Sequence, residues 1–102
     1  MQAKLVDPVL GREYPLSGKM RIGRGDDNDI PIPVYHEDTN KLLMMRRVSR
    51  RHATIQCKNG RYFVEDSSTN GTLVNGTLVK MSEIKNGDEL KLPAYPLKVV
   101  IE

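Results

Sequence analysis

The sequence predicts an all-β fold, a β-sandwich of two mainly antiparallel sheets with binding loops at one end. Three observations predict it: Asn-Gly pairs recur along the chain, short runs of alternating or β-branched residues flank them, and no long segment has a helical period. Asn-Gly favours tight hairpin turns, because both central residues of a type I′ turn take positive φ. Many short strands at close spacing are typical of a sandwich.

The predicted strands follow one another from residue 19 to residue 101. A first run, 19–22, leads into Gly23-Arg24, and the later runs are 53–58, 61–65, 72–74, 77–79, 90–92 and 97–101. The four Asn-Gly pairs lie at 59–60, 70–71, 75–76 and 86–87. We expect hairpin turns at the first, third and fourth pairs, whereas the second belongs to a polar motif.

Residues 33–47 do not fit the strand pattern. This connection is long for a compact domain, and such loops are usually functional or disordered. Residues 42–45 are four consecutive apolar residues, which could form a buried strand or helical turn, or an exposed patch for a partner. We expect burial, because folding normally hides such a run.

Length and charge limit the classes of function. A chain of 102 residues predicts one domain over residues 1–102, and a net charge of +3 is too small to favour nucleic acid or a membrane surface as the partner. The charges are unevenly distributed, since residues 26–38 hold five acidic and no basic residues. Five basic residues follow with no acidic residue among them: Lys41, Arg46, Arg47, Arg50 and Arg51.

The remaining chemistry argues against an enzyme. The single cysteine, Cys57, cannot form an internal disulfide and alternates with Ala53 and Ile55, which favours an inward position. The chain shows no nucleophile pattern, Walker-type loop, catalytic carboxylate pair or metal-ligand spacing, so we expect no catalysis, metal, cofactor or small-molecule substrate. The lack of a signal peptide or bilayer-spanning run predicts a cytoplasmic protein, or a nuclear one in a eukaryote.

Three polar motifs carry the functional signal. They are Gly23-Arg24, then Ser49-Arg50-Arg51-His52-Ala53, then the segment 66–72 with the sequence DSSTNGT. They supply hydroxyls, guanidiniums and an amide, which are donors suited to the charged oxygens of a phosphate group. Their position between predicted strands favours recognition rather than catalysis.

At these motifs the chain resembles the forkhead-associated (FHA) domain family, β-sandwiches that bind phosphothreonine. The matching residues are Gly23-Arg24, the S-x-x-H element that begins at Ser49, and the segment 68–72 followed by 74–76. The spacing departs from the common pattern between the first and second motifs, where residues 34–45 are additional. This departure alters one wall of the peptide site.

The resemblance implies a role for each motif residue. The phosphate-binding residues would be Arg24, Ser49, Arg50 and Thr69. Asn70 would bond the peptide backbone next to the phosphothreonine, and Arg47 would favour an acidic residue at the third position after it. The residues that shape and support the loops would be Gly23, His52 and Gly71.

The predicted function is therefore a monomeric, phosphothreonine-dependent binding module in signalling, whose partner is a phosphothreonine-containing protein or peptide. The alternative is an FHA-like domain that binds proteins without phosphate, through residues 42–45 or a sheet face. Nucleic-acid binding through the arginine cluster is a weaker alternative, because no aromatic residues are interleaved with it. A fourth interpretation treats Arg46-Arg47-Val48-Ser49 as a basic kinase substrate site.

Overall fold

The computed structural model describes residues 2–33 and 37–102, and within them the chain forms eleven strands and one short α-helix. The strands are β1 (Ala3–Asp7), β2 (Arg12–Pro15), β3 (Lys19–Arg24), β4 (Ile30–Ile32), β5 (Ala53–Lys58), β6 (Arg61–Asp66), β7 (Thr72–Val74), β8 (Thr77–Val79), β9 (Met81–Ile84), β10 (Glu89–Leu92) and β11 (Tyr95–Ile101). The helix α1 spans Thr39–Met45. The prediction of an all-β fold is confirmed.

The strands are arranged in two sheets. One has six strands in the order β2-β1-β11-β10-β7-β8, and the other has five in the order β4-β3-β5-β6-β9. The described pairings are antiparallel except that between β3 and β4, which is parallel. The predicted sandwich of two mainly antiparallel sheets is therefore correct.

Alternating residues of both sheets form one hydrophobic core. Leu5 and Val99 come from the six-stranded sheet and Ile22, Ile55 and Val64 from the five-stranded sheet, and each is at most 1% exposed. Burial of each such side chain contributes about 1.5–3 kcal/mol to the free energy of unfolding. Cys57, which was expected to point inward, is only half-buried.

The Asn-Gly predictions have two outcomes. At Asn59-Gly60 and Asn75-Gly76 both residues have positive φ, and each pair joins two hydrogen-bonded antiparallel strands. The predicted hairpin at Asn86-Gly87 is wrong, because β9 before it and β10 after it belong to different sheets. Of this pair only Gly87 takes positive φ, at 88°. An Asn-Gly pair permits a turn, but it does not determine which strand the next segment pairs with.

The long connection contains the helix. The Asp38 carboxylate caps α1 by accepting hydrogen bonds from the backbone N–H groups of Asn40 (2.8 Å) and Lys41 (3.3 Å). Met45 is buried (2% exposed), but Leu43 (53%) and Met44 (45%) are exposed. The expected burial of residues 42–45 is therefore wrong for Leu43 and Met44, because a helical turn directs successive side chains to different faces.

The first part of that connection, residues 34–36, lies outside the described residues, as does Met1. Within the part of the chain that the structure describes, no helix has the length and apolar character needed to cross a membrane.

Candidate functional site

The three polar motifs meet at one end of the five-stranded sheet. β3 ends at Arg24, the segment 49–52 leads directly into β5, and the loop 67–71 begins where β6 ends. Because β5 pairs antiparallel with both β3 and β6, Ala53 lies opposite Ile22 on one side and Asp66 on the other. The sheet register therefore brings segments that are far apart in sequence to the same edge.

Gly23 allows two segments of backbone to approach closely. A Cβ atom at this position would lie 2.0 Å from the carbonyl oxygen of Arg50 and 3.0 Å from Oδ1 of Asn28. The glycine is needed here for space rather than for positive φ. Asn28 is itself buried (7% exposed), and no sequence pattern indicated that it would lie at the site.

Arg24 is fixed to the second motif by two hydrogen bonds. Its backbone N–H donates to the carbonyl of Ser49 (3.0 Å) and its Nε donates to the carbonyl of Val48 (3.1 Å). Among the described residues, the hydrogen bonds of the Arg24 side chain use Nε alone. The half-buried guanidinium is therefore oriented by the protein while its two Nη groups keep their donors for a ligand.

The Ser49 hydroxyl is oriented by the third motif. Its Oγ accepts a hydrogen bond from the backbone N–H of Thr69 (3.2 Å). Since a hydroxyl has one hydrogen and two acceptor lone pairs, this bond leaves the hydroxyl hydrogen of Ser49 to be donated. Ser49 is half-buried, next to the fully buried Val48.

His52 connects the second and third motifs through hydrogen bonds of its buried ring. It is fully buried, its Nδ1 accepts from the backbone N–H of Ser49 (3.0 Å), and its Nε2 donates to the carbonyl of Gly71 (2.8 Å). This pair of bonds assigns the ring proton to Nε2. Burial lowers the pKa of His52, against the opposing effects of the Gly71 carbonyl and the Asp66 carboxylate. The neutral ring thus holds two loops together.

Asp66 organises the loop 67–71. Its Oδ1 accepts hydrogen bonds from the Ser68 N–H (3.1 Å), the Ser68 hydroxyl (2.5 Å) and the Thr72 hydroxyl (2.8 Å), and Ser68 Oγ accepts from the N–H of Gly71 (2.7 Å). Burial raises the pKa of Asp66, but these hydrogen bonds outweigh it and leave the pKa lowered.

Asp66 and Ser68 belong to the third motif, but their hydrogen bonds to the loop backbone were not predicted. The signal was present, because Asp and Ser followed by a glycine favour local side-chain to backbone turns.

Thr69 and Asn70 are exposed residues of this loop, as is Ser67. The Nδ2 of Asn70 donates to the carbonyl of Arg47 (2.9 Å), which ties the loop to the end of α1. Gly71 has φ of 100°, a conformation that favours glycine. By contrast, Asn75 bonds Asp88 and Glu89 at the start of β10 and is a turn residue away from the site.

The arginines of the second motif have different surroundings. Arg51 pairs with Asp27 (Nη2 to Oδ2, 3.0 Å), and both side chains are more than half exposed, so this pair contributes little to stability. This ion pair places Asp27 at the rim of the site. The Arg47 and Arg50 side chains are exposed.

The comparison with known families identifies this arrangement. The model of the FHA domain family matches residues 20–93, which include all three motifs.

The chain belongs to the FHA domain family. FHA domains are phosphothreonine-binding modules. One similar structure comes from a study of phosphothreonine-dependent FHA domain interactions. It superimposes on this chain with a TM-score of 0.83 at 30% identity, and the match covers 100% of this chain and 98% of that one. The structure of Mycobacterium tuberculosis EmbR in complex with a low-affinity phosphopeptide matches with a TM-score of 0.80 at 30% identity, over 99% of this chain and 24% of that one.

Curated relatives of this FHA domain are longer proteins. The glycogen accumulation regulator GarA of M. tuberculosis is 38% identical over 72 residues, which are 70% of this chain and 44% of GarA. An ATP-binding/permease protein of an ABC transporter from the same organism is 40% identical over 72 residues, or 70% of this chain and 7% of the transporter. The chain therefore spans less than half the length of these relatives.

Proposed function

We propose that this FHA domain binds phosphothreonine-containing proteins, and that Arg24 and Ser49 hold the phosphate. One observation carries the proposal: Arg24 is fixed against Val48 and Ser49 through its backbone N–H and Nε, while its Nη groups keep their donors. The phosphopeptide in the EmbR complex supports the same class of ligand for this chain.

The proposed phosphate binding follows from the hydrogen-bond donors of Arg24 and Ser49. A phosphothreonine brings about −1.5 to −2 charges and three acceptor oxygens. The Nη groups of Arg24 donate charge-assisted bonds to two of them, and the Ser49 hydroxyl donates its remaining hydrogen. Arg50 adds positive charge and Thr69 a hydroxyl at the exposed rim. Binding is reversible, because bonds of about 1.5–3 kcal/mol each must first offset an association cost of at least about 4 kcal/mol.

Asn70 sets the register of the peptide. One Nδ2 hydrogen is donated to the carbonyl of Arg47, which leaves Oδ1 to accept a backbone N–H of the ligand and the second Nδ2 hydrogen to donate to a backbone carbonyl. The exposed Arg47 side chain favours an acidic residue at the third position after the phosphothreonine. Gly23, His52 and Gly71 support the site without contacting the phosphate.

The chain acts through binding rather than catalysis. We propose one domain over residues 1–102 that works as a cytoplasmic monomer, without a metal, cofactor or small-molecule substrate, and delivers the protein that contains it to a phosphorylated partner. The exposed Leu43 and Met44 favour one second candidate, phosphate-independent protein binding through α1.

The test is an oriented phosphothreonine peptide library, followed by calorimetry of the best peptide and its unphosphorylated form. Arg24→Ala should weaken phosphopeptide binding at least about 100-fold, because two charge-assisted bonds are lost. Arg46→Ala is the matched control: it removes one positive charge from an exposed side chain nearby and should change affinity less than about threefold.

Three outcomes would contradict parts of this proposal. Wild-type affinity in Arg24→Ala would remove Arg24 from the phosphate site. Equal binding of both peptide forms would favour the phosphate-independent function. A library without acidic enrichment at the third position, or with enrichment that persists in Arg47→Ala, would refute the role of Arg47.

A further inference from the structure

The four Asn-Gly pairs of the chain carry the same chemical liability. They lie at residues 59–60, 70–71, 75–76 and 86–87. Asparagine loses its side-chain amide most readily before glycine, because the glycine nitrogen is unhindered and attacks Cγ of the asparagine. The Cγ–Nδ2 bond then breaks, and ammonia leaves with the proton of the glycine nitrogen. Water opens the resulting cyclic imide to aspartate or isoaspartate, without oxidation or reduction.

Outside the binding site, hydrogen bonds protect two of these pairs and leave one unprotected. The Asn75 amide is held at both ends by residues 88 and 89 (2.9 Å each). The Asn86 Oδ1 and the Gly87 N–H both bond the backbone of β11 (2.9 and 2.8 Å). At Asn59-Gly60, by contrast, neither the side-chain amide nor the glycine N–H makes a hydrogen bond within the part of the chain that the structure describes. The folded chain should therefore react first at Asn59.

At Asn70-Gly71 the protection comes from the loop that forms the binding site. The Asn70 Nδ2 donates to the carbonyl of Arg47 (2.9 Å), and the Gly71 N–H donates to Ser68 Oγ (2.7 Å). Ser68 Oγ is fixed in turn by its bond to the Asp66 carboxylate (2.5 Å). The side-chain amide and the glycine nitrogen are thus both occupied, but only while the loop 67–71 is closed.

The loop 67–71 is held by hydrogen bonds rather than by burial. Its residues are polar or glycine, and none of them is buried. Segments with few buried apolar contacts and exposed hydrogen bonds open locally at a lower free-energy cost than the whole domain. Each opening releases the Asn70 amide from Arg47 and the Gly71 nitrogen from Ser68, so the two groups can then react with each other.

We propose that Asn70-Gly71 is a latent deamidation site: the closed loop protects Asn70, and opening of the loop converts it to aspartate or isoaspartate and ends phosphopeptide binding. The loss of binding rests on the proposed function. The new carboxylate cannot donate to the Arg47 carbonyl, and it brings a negative charge next to the phosphothreonine, which is repelled by it. The domain therefore keeps its ligand binding only as long as the loop stays closed.

Peptide mapping by mass spectrometry measures the reaction directly. The folded domain is incubated in mildly alkaline buffer below its unfolding temperature, and conversion at each Asn-Gly pair is followed with time. In the wild type, Asn59 should convert faster than Asn70. Ser68→Ala removes the acceptor of the Gly71 N–H, so it should speed conversion at Asn70 about three- to tenfold without changing Asn59.

Ser67→Ala is the matched control for this variant. Ser67 is the exposed neighbour in the same loop, and its hydroxyl makes no hydrogen bond to the other residues that the structure describes. Its replacement should leave the rate at Asn70 unchanged. The protected amides of Asn75 and Asn86 report on the whole fold. Equal acceleration at these two residues in Ser68→Ala would attribute the protection to the fold as a whole and overturn the role of the loop.

Calorimetry measures the consequence for binding. Asn70→Asp should weaken phosphopeptide binding at least about tenfold, because a donor is lost and a like charge is gained. Asn59→Asp makes the same change in an exposed turn at the opposite end of β5, and it should bind as the wild type does. Saturating phosphopeptide, which holds Asn70 in the closed loop, should slow conversion at Asn70 and leave that at Asn59 unchanged.

The chemistry and its consequence fail separately. Conversion of Asn70 as fast as that of Asn59 in the wild type, or an unchanged rate in Ser68→Ala, would overturn protection by the loop. Wild-type affinity in Asn70→Asp, with binding still lost in Arg24→Ala, would overturn the effect of deamidation alone. Equal binding of phosphorylated and unphosphorylated peptides would overturn the proposed function and the predicted loss of binding, whereas the mass-spectrometric rates would still decide whether the loop protects Asn70.

Discussion

Gly23 shows how one missing side chain shapes the site. The carbonyl oxygen of Arg50 occupies the space where a Cβ would lie, at 2.0 Å. This contact holds the segment 49–52 against the end of β3, where Arg24 bonds the carbonyls of Val48 and Ser49. The position of the Ser49 hydroxyl, which we propose to bind the phosphate, therefore depends on a glycine that offers no side-chain donor of its own.

Gly23→Ala should weaken phosphopeptide binding strongly and lower the free energy of unfolding by about 1–3 kcal/mol, the usual cost of overpacking. The added methyl would push the backbone of Arg50 away from β3 and separate Ser49 from Arg24. Calorimetry and urea unfolding would measure the two effects. Gly60→Ala is the control: its φ of 75° makes alanine strained, but the space around it is open, so it should lower stability alone. Unchanged binding in Gly23→Ala would contradict this role.

The sequence indicated the residues that we propose as ligand contacts more clearly than the groups that position them. Arg24, Ser49 and Asn70 belong to motifs, so their types and spacing were visible. Their partners are the backbone carbonyls of Val48 and Arg47 and the backbone N–H of Thr69. Every residue carries such groups, so no sequence pattern shows which of them will be used.

The loops at the site behave as one unit because His52 connects them. Its ring accepts from the N–H of Ser49 and donates to the carbonyl of Gly71, which only the neutral ring can do at both atoms. Burial lowers its pKa below the ordinary value of 6.5. The unfolded chain therefore takes up a proton near pH 6.5 while the folded chain remains neutral, and this difference disfavours the folded state as the pH falls.

The free energy of unfolding should thus be nearly constant above about pH 7 and should fall below about pH 6.5. Urea unfolding between pH 5 and 8 would measure this slope. His52→Gln should be less stable at every pH but should lose much of the slope. His36→Gln is the control for the other histidine of the sequence, and it should keep the pH dependence of the wild type. A slope in His52→Gln as steep as in wild type would contradict the assignment to His52.

Secondary structure was predictable where local chemistry decides it. Asn59-Gly60 and Asn75-Gly76 identified their hairpins, because each pair adopts positive φ and the flanking strands then meet directly. The hairpin predicted from Asn86-Gly87 was wrong, because β10 pairs with β7 and β11. The three-residue strand β4 was also missed, since Pro31 at its centre is compatible only with a sheet edge.

The assembled sandwich extends beyond the segment that identifies its family. The family model matches residues 20–93, but β1 and β2 precede that segment and β11 follows it. β1 pairs with β11, and Tyr95 donates a hydrogen bond to the buried Asp7 carboxylate (2.6 Å). The three polar motifs thus meet at one end of the five-stranded sheet, with the third motif continuing into β7, while the two ends of the chain complete the six-stranded sheet.

A fragment limited to residues 20–93 should therefore fail to fold. It loses three of the six strands of one sheet and five large core side chains: Leu5, Leu16, Tyr95, Leu97 and Val99. At about 1.5–3 kcal/mol each, their burial approaches the whole stability of a typical domain, about 5–15 kcal/mol. Amide NMR spectra of the fragment should be poorly dispersed, and its thermal unfolding should show no cooperative transition.

Tyr95→Phe in the full chain is a milder control, because it keeps the ring and loses only the bond to Asp7. We expect it to fold, with a free energy of unfolding lower by about 1–3 kcal/mol. A cooperatively folded fragment that binds phosphopeptide would show that the five-stranded sheet holds the site without the ends of the chain.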